Sequence, residues 1–314
     1  KKNTKLKNYI SKMYLSFKLP LVYVAIQIAA FVCQTSGSKD LLLQRFPDDK
    51  IPQKSYLRET VGKIYNGFPV KEKYSGERYQ YFVLSSRLNE RFCGGVLIAS
   101  NVVLTAAHCK GVFQKISIGI YDKNAETSTF EEFNVVGEEK HPRFDEATYE
   151  NDFMVVILDG NSNATPICMA SDDLLEDLQD LRILGYGLTR SGLPSDLLLE
   201  TDVKYINNRR CERRYSDWEP NENDDYYGEW RPDITKDMMC AHSNNGNDAC
   251  KGDSGGPLIL SGDDDTGRGD ILVGLVSWGI ECGKYPGVYS RVKSRLRWIK
   301  RKVEKYGGIL PHCE

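Results

Sequence analysis

The chain has 314 residues, 40% of them hydrophobic, 27% charged and 11% aromatic, with a formal net charge of −2. These proportions fit a globular protein with one large or two small cores, and they exclude a disordered or fibrous chain. The charge is uneven: residues 1–63 hold 12 Lys/Arg and 4 Asp/Glu, whereas the remainder holds 30 and 40. A basic leader on an acidic body predicts a segment that is removed.

In chain order, Lys1, Lys2, Lys5, Lys7, Lys12 and Lys18 precede an apolar run of 15 residues, Leu19 to Cys33. That run is short of the about 20 residues a membrane helix needs, so residues 1–37 read as a secretory signal cut near Thr35-Ser36-Gly37, with no stable membrane span. A retained signal anchor is the alternative. Residues 38–63 carry Pro, Lys and Asp with little periodicity and read as a propeptide.

From Tyr79 onward, short β-rich runs recur between turn residues: 80–84, 96–98, 102–105, 115–118, 133–136, 153–158, 181–184, 258–260, 271–276 and 288–290. This is an all-β pattern. Apolar residues at helical spacing predict one helix from Val292 to Tyr306. Nine cysteines behind a secretory leader predict disulfides with one cysteine left over, and loss of Cys33 with the leader leaves eight.

The chemistry concentrates on Gly252-Asp253-Ser254-Gly255-Gly256-Pro257. A serine between glycines on a tight turn exposes its hydroxyl and frees neighbouring backbone N–H groups, which supplies a nucleophile and an oxyanion site together. A solvated serine on a surface turn is the bland alternative. A serine needs a base, and the base needs a group to hold its tautomer. Of four histidines, His108 closes Leu104-Thr105-Ala106-Ala107-His108-Cys109, where small residues leave the ring room. Asp152 heads the apolar run Phe153 to Leu158. Each alone reads as a buried structural histidine or a strand-end acid. Together they stand in the order His, Asp, Ser.

Further stretches join these: Cys93-Gly94-Gly95-Val96-Leu97-Ile98, Gly185-Tyr186-Gly187, Asp248 to Pro257, Ser277-Trp278-Gly279 and Pro286-Gly287-Val288-Tyr289. With them the chain resembles the trypsin-like serine proteases of the chymotrypsin family, from about Ile64 to Lys300. The resemblance implies two six-stranded antiparallel β-barrels with the active site in the cleft and a C-terminal helix. The protease domain is expected over 64–314, with residues near Asn161–Ser171 bridging the barrels.

It further implies that Ser254 attacks the carbonyl, His108 shuttles the proton, Asp152 orients His108, and the N–H groups of Gly252 and Ser254 hold the oxyanion. Lys63-Ile64 resembles the activation site of a zymogen. Cleavage after Lys63 frees the Ile64 ammonium, whose buried partner is expected to be Asp253. Tyr65 is larger than the residue usual after Ile64. Asp248, six residues before Ser254, is expected in the primary pocket, pairing with an Arg or Lys side chain. Gly279 and Gly287 leave its walls open, and Ser277 to Gly279 offers backbone to the substrate. Ala249 replaces a hydroxyl that helps Lys more than Arg, because a guanidinium satisfies the acid bidentately, so Arg is expected to be favoured. The loop from Cys282 to Pro286 is about two residues short for the family.

Family pairing implies the disulfides Cys93–Cys109, Cys211–Cys240 and Cys250–Cys282. Parity leaves Cys168 and Cys313 to pair if Cys33 is lost. Leu181 and Leu260 stand where many relatives carry another bridge. No cofactor is expected, and no metal, since Ile120 stands where a calcium loop needs a carboxylate. The expected partners are protein or peptide substrates with Arg or Lys before the cut bond, and inhibitors of the serpin or Kunitz type. A secreted monomer with no nucleic-acid role is expected. A non-catalytic homologue acting as a binding or decoy protein is the rival.

Three surface features remain. Asp217 to Asp233 is an acidic insert with Trp218, Tyr226, Tyr227 and Trp230, read either as a surface loop or as an extended subsite for basic or aromatic residues. Ser261 to Asp270 reads as a second acidic insert, a solvated hairpin end. Asn163-Ala164-Thr165 is a glycosylation sequon.

Overall fold

The computed structural model describes residues 67–70, 78–86, 92–124, 129–171, 175–189, 191–219, 232–262 and 267–313. The expected leader, the propeptide and the Lys63-Ile64 bond lie outside the described residues, as do Tyr226, Tyr227 and Trp230.

Among the described residues, fourteen strands make up two closed barrels and two short additions. The first barrel holds β2 (Phe82–Ser86), β3 (Gly94–Ala99), β4 (Val102–Thr105), β5 (Lys115–Ile118), β6 (Glu131–Lys140) and β7 (Met154–Leu158), closed in the order β2-β3-β4-β7-β6-β5. The second holds β9 (Asp180–Gly185), β10 (Leu199–Ile206), β11 (Met238–His242), β12 (Pro257–Leu260), β13 (Ile271–Trp278) and β14 (Gly287–Arg291). It closes where β10 pairs with both β9 and β11. The strand β1 (Phe68–Pro69) adds to β10, and β8 (Cys168–Met169) runs parallel to β13. The two six-stranded antiparallel barrels are those the resemblance implies.

The strands β4 and β7 are apolar because they are buried along their whole length, between the barrel core and the rest of the molecule. By contrast β10 alternates: Leu199, Thr201, Val203 and Tyr205 face inward, while Asp202 and Lys204 face solvent. There they pair across the ladder with Arg182 (2.8 Å) and Asp180 (2.6 Å), their register partners on β9. The strands β1, β8, β10 and β11 are absent from the sequence expectation, as is a helix, α1 (Asn208–Tyr215), capped by the Asn207 side chain on the Arg210 N–H at 3.0 Å.

The linker crosses between the barrels as expected. The Ile167 N–H reaches the Leu97 carbonyl of the first barrel at 3.0 Å, and β8 then joins the second. The C-terminal helix, α2 (Val292–Lys305), buries Val292, Trp298, Ile299 and Val303 in the core of the first barrel, and Asn101 caps its end on the Tyr306 carbonyl at 2.9 Å. Among the described residues, disulfides close Cys93–Cys109, Cys168–Cys313, Cys211–Cys240 and Cys250–Cys282. Leu181 is buried on β9 and Leu260 lies on β12, next along from the paired Ile259 and Arg182, and both join the core of the second barrel where a bridge is missing.

One expectation is corrected. The segment Ser261 to Asp270 is not simply a solvated hairpin end: Asp270 is 1% exposed, accepting from the Tyr81 hydroxyl at 2.6 Å and the Gly262 N–H at 2.9 Å. It anchors the hairpin to the segment that leads into β2. Trp218 is likewise buried, in a cluster with Cys211, Tyr215 and Ile280, so that end of the acidic insert belongs to the core.

Candidate active site

His108 sits in a 3-10 turn, Ala107–Cys109, directly after β4. Buried Ala106 and Ala107 and the Cys93–Cys109 bridge fix the turn and leave the ring room. Asp152 precedes β7 and is fully buried. Its Oδ2 lies 2.7 Å from His108 Nδ1, and its Oδ1 accepts the His108 backbone N–H at 2.9 Å. With the carboxylate on Nδ1, that nitrogen carries the proton and Nε2 is left as the acceptor. The second barrel completes the shell of Asp152. The Ser277 hydroxyl donates to Oδ2 at 2.6 Å, and the Ser290 hydroxyl donates to the Asp152 carbonyl at 2.9 Å.

Ser277 acquires this direction from a register shift between Val276 and Trp278, where β13 bulges against β14. The sequence reading assigned Ser277 a backbone role only. Its hydroxyl contact spans 125 positions and depends on the bulge.

Ser254 shares one cleft with His108, of about 1040 Å³, lying where the two barrels meet. Its turn is pressed against the first barrel: the Gly94 N–H donates to the Ser254 carbonyl at 2.8 Å, and Gly255 has a φ of 75°. A Cβ on Gly255 would stand 2.0 Å from Thr105 Oγ1 and 2.6 Å from the Gly94 carbonyl, so only glycine fits. Within the turn the N–H groups of Asp253, Gly255 and Gly256 donate to Cys250, Val276 and Asp253. Those of Gly252 and Ser254 have no acceptor among the described residues.

Asp253 points away from the cleft. It is 1% exposed, its carboxylate taking the N–H of Gly187 at 2.7 Å and of Cys250 at 2.9 Å. A Cβ on Gly185 or Gly187 would stand 2.0 or 2.3 Å from that carboxylate, which accounts for both glycines. Burial pushes its pKa up to about 7, against the pull of those N–H groups and of Lys123. Half-buried Lys123, whose part the sequence reading missed, lies over the Tyr186 ring at 4.6 Å and donates to the Ser195 carbonyl at 2.8 Å.

Asp248 lines the cleft at 5% exposure. Burial pushes its pKa up to about 7, while the N–H groups of Gly283 and Ala249 pull it down and Asp253 pushes it further up. The Gly283 N–H is 2.9 Å from Oδ2. Ala249, Ser277, Trp278, Gly279 and Gly287 line the same cleft. A Cβ on Gly287 would stand 2.8 Å from Asp248 Oδ1, and one on Gly279 would stand 3.9 Å from the Gly287 Cα. The two glycines therefore lie close together, and a side chain on Gly287 would crowd the carboxylate. Tyr149, also missed by sequence reading, lines the cleft with its ring edge-on to His108 at 5.6 Å.

Two positions singled out in the sequence stand apart from this cleft. Ile120 is buried and its carbonyl accepts the Tyr186 hydroxyl at 2.9 Å. Asn163 is exposed, and its side-chain nitrogen donates to Glu131 at 2.9 Å.

Comparison with known proteins decides the family. The profile described as Trypsin matches residues 64–299. The chain belongs to the trypsin family. Among trypsin-family relatives, Trypsin Blo t 3 of Blomia tropicalis is 35% identical over 70% of this chain and 80% of its own. Kallikrein-8 of Rattus norvegicus is 33% identical over 68% and 77%. Mannan-binding lectin serine protease 1 of Mus musculus is 29% identical over 78% of this chain, which spans 36% of that longer protein. A solved structure of neuropsin, a serine protease expressed in the limbic system of mouse brain, superposes with a TM-score of 0.63 at 28% identity, covering 76% of this chain and all of that one. Among the described residues, no helix is long and apolar enough to cross a membrane.

Proposed function

We propose that this chain is a secreted serine endopeptidase, made as a zymogen, that hydrolyses peptide bonds after Arg or Lys with Arg favoured. The observation that carries this reading is the cleft in which Ser254 lies with His108, itself bonded to buried Asp152, beside the N–H groups of Gly252 and Ser254, which have no acceptor among the described residues. In this mechanism His108 Nε2 takes the Ser254 proton as Oγ attacks the carbonyl. Asp152 holds the tautomer and stabilises the imidazolium that forms, and the Gly252 and Ser254 N–H groups hold the oxyanion. His108 then returns the proton to the leaving amine, and water repeats the cycle on the acyl-enzyme. Retention of all three residues does not favour a decoy.

Specificity rests on Asp248. A buried carboxylate reached between two glycines stabilises a cationic side chain and leaves an apolar one facing an unpaired charge. Ala249 adds no hydroxyl beside it, and a guanidinium engages both oxygens on its own. The zymogen device rests on Asp253, buried behind the nucleophile and calling for a cation. Cleavage after Lys63 supplies one at Ile64.

The test is hydrolysis of chromogenic Arg and Lys amides by the full chain before and after cleavage at Lys63. Activity is expected only after cleavage, with Arg ahead. Ser254→Ala, folded by circular dichroism, is expected to lose about 10⁴-fold or more in kcat and to resist labelling by a fluorophosphonate. Undiminished turnover in that variant would falsify the mechanism.

A further inference from the structure

Part of the charge gathered on α2 is used neither by the fold nor by the cleft. Its fourteen residues carry seven Lys/Arg against Glu304 alone, in a chain whose net charge is −2. Part of this charge secures the helix. Arg295 forms a bidentate pair with Asp237, and Lys302 and Lys305 both reach Glu139. Arg297, Lys300 and Arg301 are exposed and form no ion pair among the described residues. At 3.6 residues per turn they share one face with half-buried Lys293, opposite Val292, Ile299 and Val303, along about 12 Å of axis. Glu304 closes the row at its C-terminal end.

A second segment adds to this face. The ring of buried His141 packs edge-on against Trp298 of α2, with centroids 5.0 Å apart. Arg143, two residues on, is exposed. Burial lowers the His141 pKa to about 4, and the positive fields of Arg295, Arg143 and Arg301 add to that lowering while Asp237 opposes it. Like charges at i,i+4, as in Lys293 with Arg297 and Arg297 with Arg301, oppose helix formation. Arg297, Lys300 and Arg301 form no ion pair among the described residues that would offset this cost.

We infer that the outer face of α2, extended by Arg143, binds a linear sulfated polysaccharide. The face is narrow and straight, and positive along its length as far as Glu304, so it complements an extended polyanion rather than a compact anion. Two of the three unpaired cations are arginines, whose planar forks match sulfate oxygens in pairs. Trp298 is buried, and no aromatic side chain stands on the row to stack a base, which disfavours single-stranded nucleic acid. No apolar side chain stands among the exposed positions, which disfavours insertion into a lipid surface.

The test uses the full chain on immobilised heparin. It is expected to stay bound at physiological ionic strength. Arg297→Glu/Lys300→Glu/Arg301→Glu is expected to weaken binding by about tenfold or more and to lower the slope of log affinity against log salt by about 2 to 3. Arg143→Glu should act in the same direction, more weakly. Arg209→Glu/Arg213→Glu, exposed on α1, should leave binding unchanged. Near-UV circular dichroism checks the fold, and the Gln triple variant replaces the Glu one if reversal unfolds the chain. Elution of the parent below physiological salt, or equal retention of the triple variant, overturns the proposal. Binding of a single-stranded oligonucleotide or of phosphatidylserine vesicles as tight as that of heparin overturns the choice of polysaccharide.

Discussion

Asp248 and Asp253 are acids whose burial opposes their charge, and in the function proposed above each would meet a cation that comes from elsewhere. In the empty pocket Asp248 has a pKa of about 7, so near neutrality it is a mixture of acid and anion. An amidinium binds the anion. The affinity for benzamidine is therefore expected to rise as pH climbs through about 7 and to level off above it, falling by up to about tenfold for each pH unit below. Calorimetry between pH 5.5 and 8.5 reads both this dependence and the proton released on binding near pH 6. An affinity indifferent to pH would remove Asp248 from the pocket. Ser277 makes a separate prediction. Its hydroxyl shares Asp152 Oδ2 with His108, so Ser277→Ala leaves a buried carboxylate oxygen one donor short. Hydrogen bonds to charged groups contribute about 1.5–3 kcal/mol, so kcat is expected to fall roughly tenfold or more with KM little changed. Steady-state kinetics on an Arg amide decide it, and an unaltered kcat would show that Asp152 does not need the serine.

The nucleophile turn acts as an element because glycine makes it one. Gly255→Ala forces a methyl group into Thr105 Oγ1 at a positive φ, at the seam between the barrels. It is expected to destabilise by about 2–4 kcal/mol, read as a lower urea midpoint with unchanged slope, whereas Gly192→Ala, with open space around it, should cost about 1 kcal/mol. Comparable losses at the two positions would contradict the seam. The elements also show what the sequence made legible. The strands β4 and β7 stood out because burial on both sides makes them continuous apolar runs. The strand β10 did not, because Asp202 and Lys204 on its open face find cross-strand partners that only the register reveals. The helix α1 was hidden for a related reason: in Asn208–Tyr215 only Cys211 and Tyr215 turn inward. His108, Asp152 and Ser254 were legible because each sits in a short stretch whose small or apolar neighbours build its own setting. Ser277 and Tyr149 depend on a bulge and on a loop backbone, which residue types do not encode.

At the scale of the molecule, each barrel completes the other. The first supplies His108 and Asp152, the second Ser254 and the Ser277 hydroxyl, and α2 returns from the end of the second to fill the core of the first. In the activation proposed above, Asp253 would couple this assembly to cleavage, and linkage would give that coupling a pH signature. In the uncleaved chain its pKa is raised to about 7, far above the ordinary value near 3.9, so the folded state holds a proton that the unfolded state releases. Stability is then fullest below about pH 4 as far as this group is concerned, and it declines as pH rises toward 7, where the buried carboxylate ionises without a full partner. On the proposed activation, the Ile64 ammonium freed by cleavage would favour the ionised form, bring that pKa down and remove the decline. The difference in melting temperature between cleaved and uncleaved chains is therefore expected to be small at pH 5 and to widen toward pH 7.5. Asp253→Asn should abolish the widening together with the activity. Calorimetric scans of both forms across that range test it, and a gap of constant size would mean that the new terminus finds its partner elsewhere.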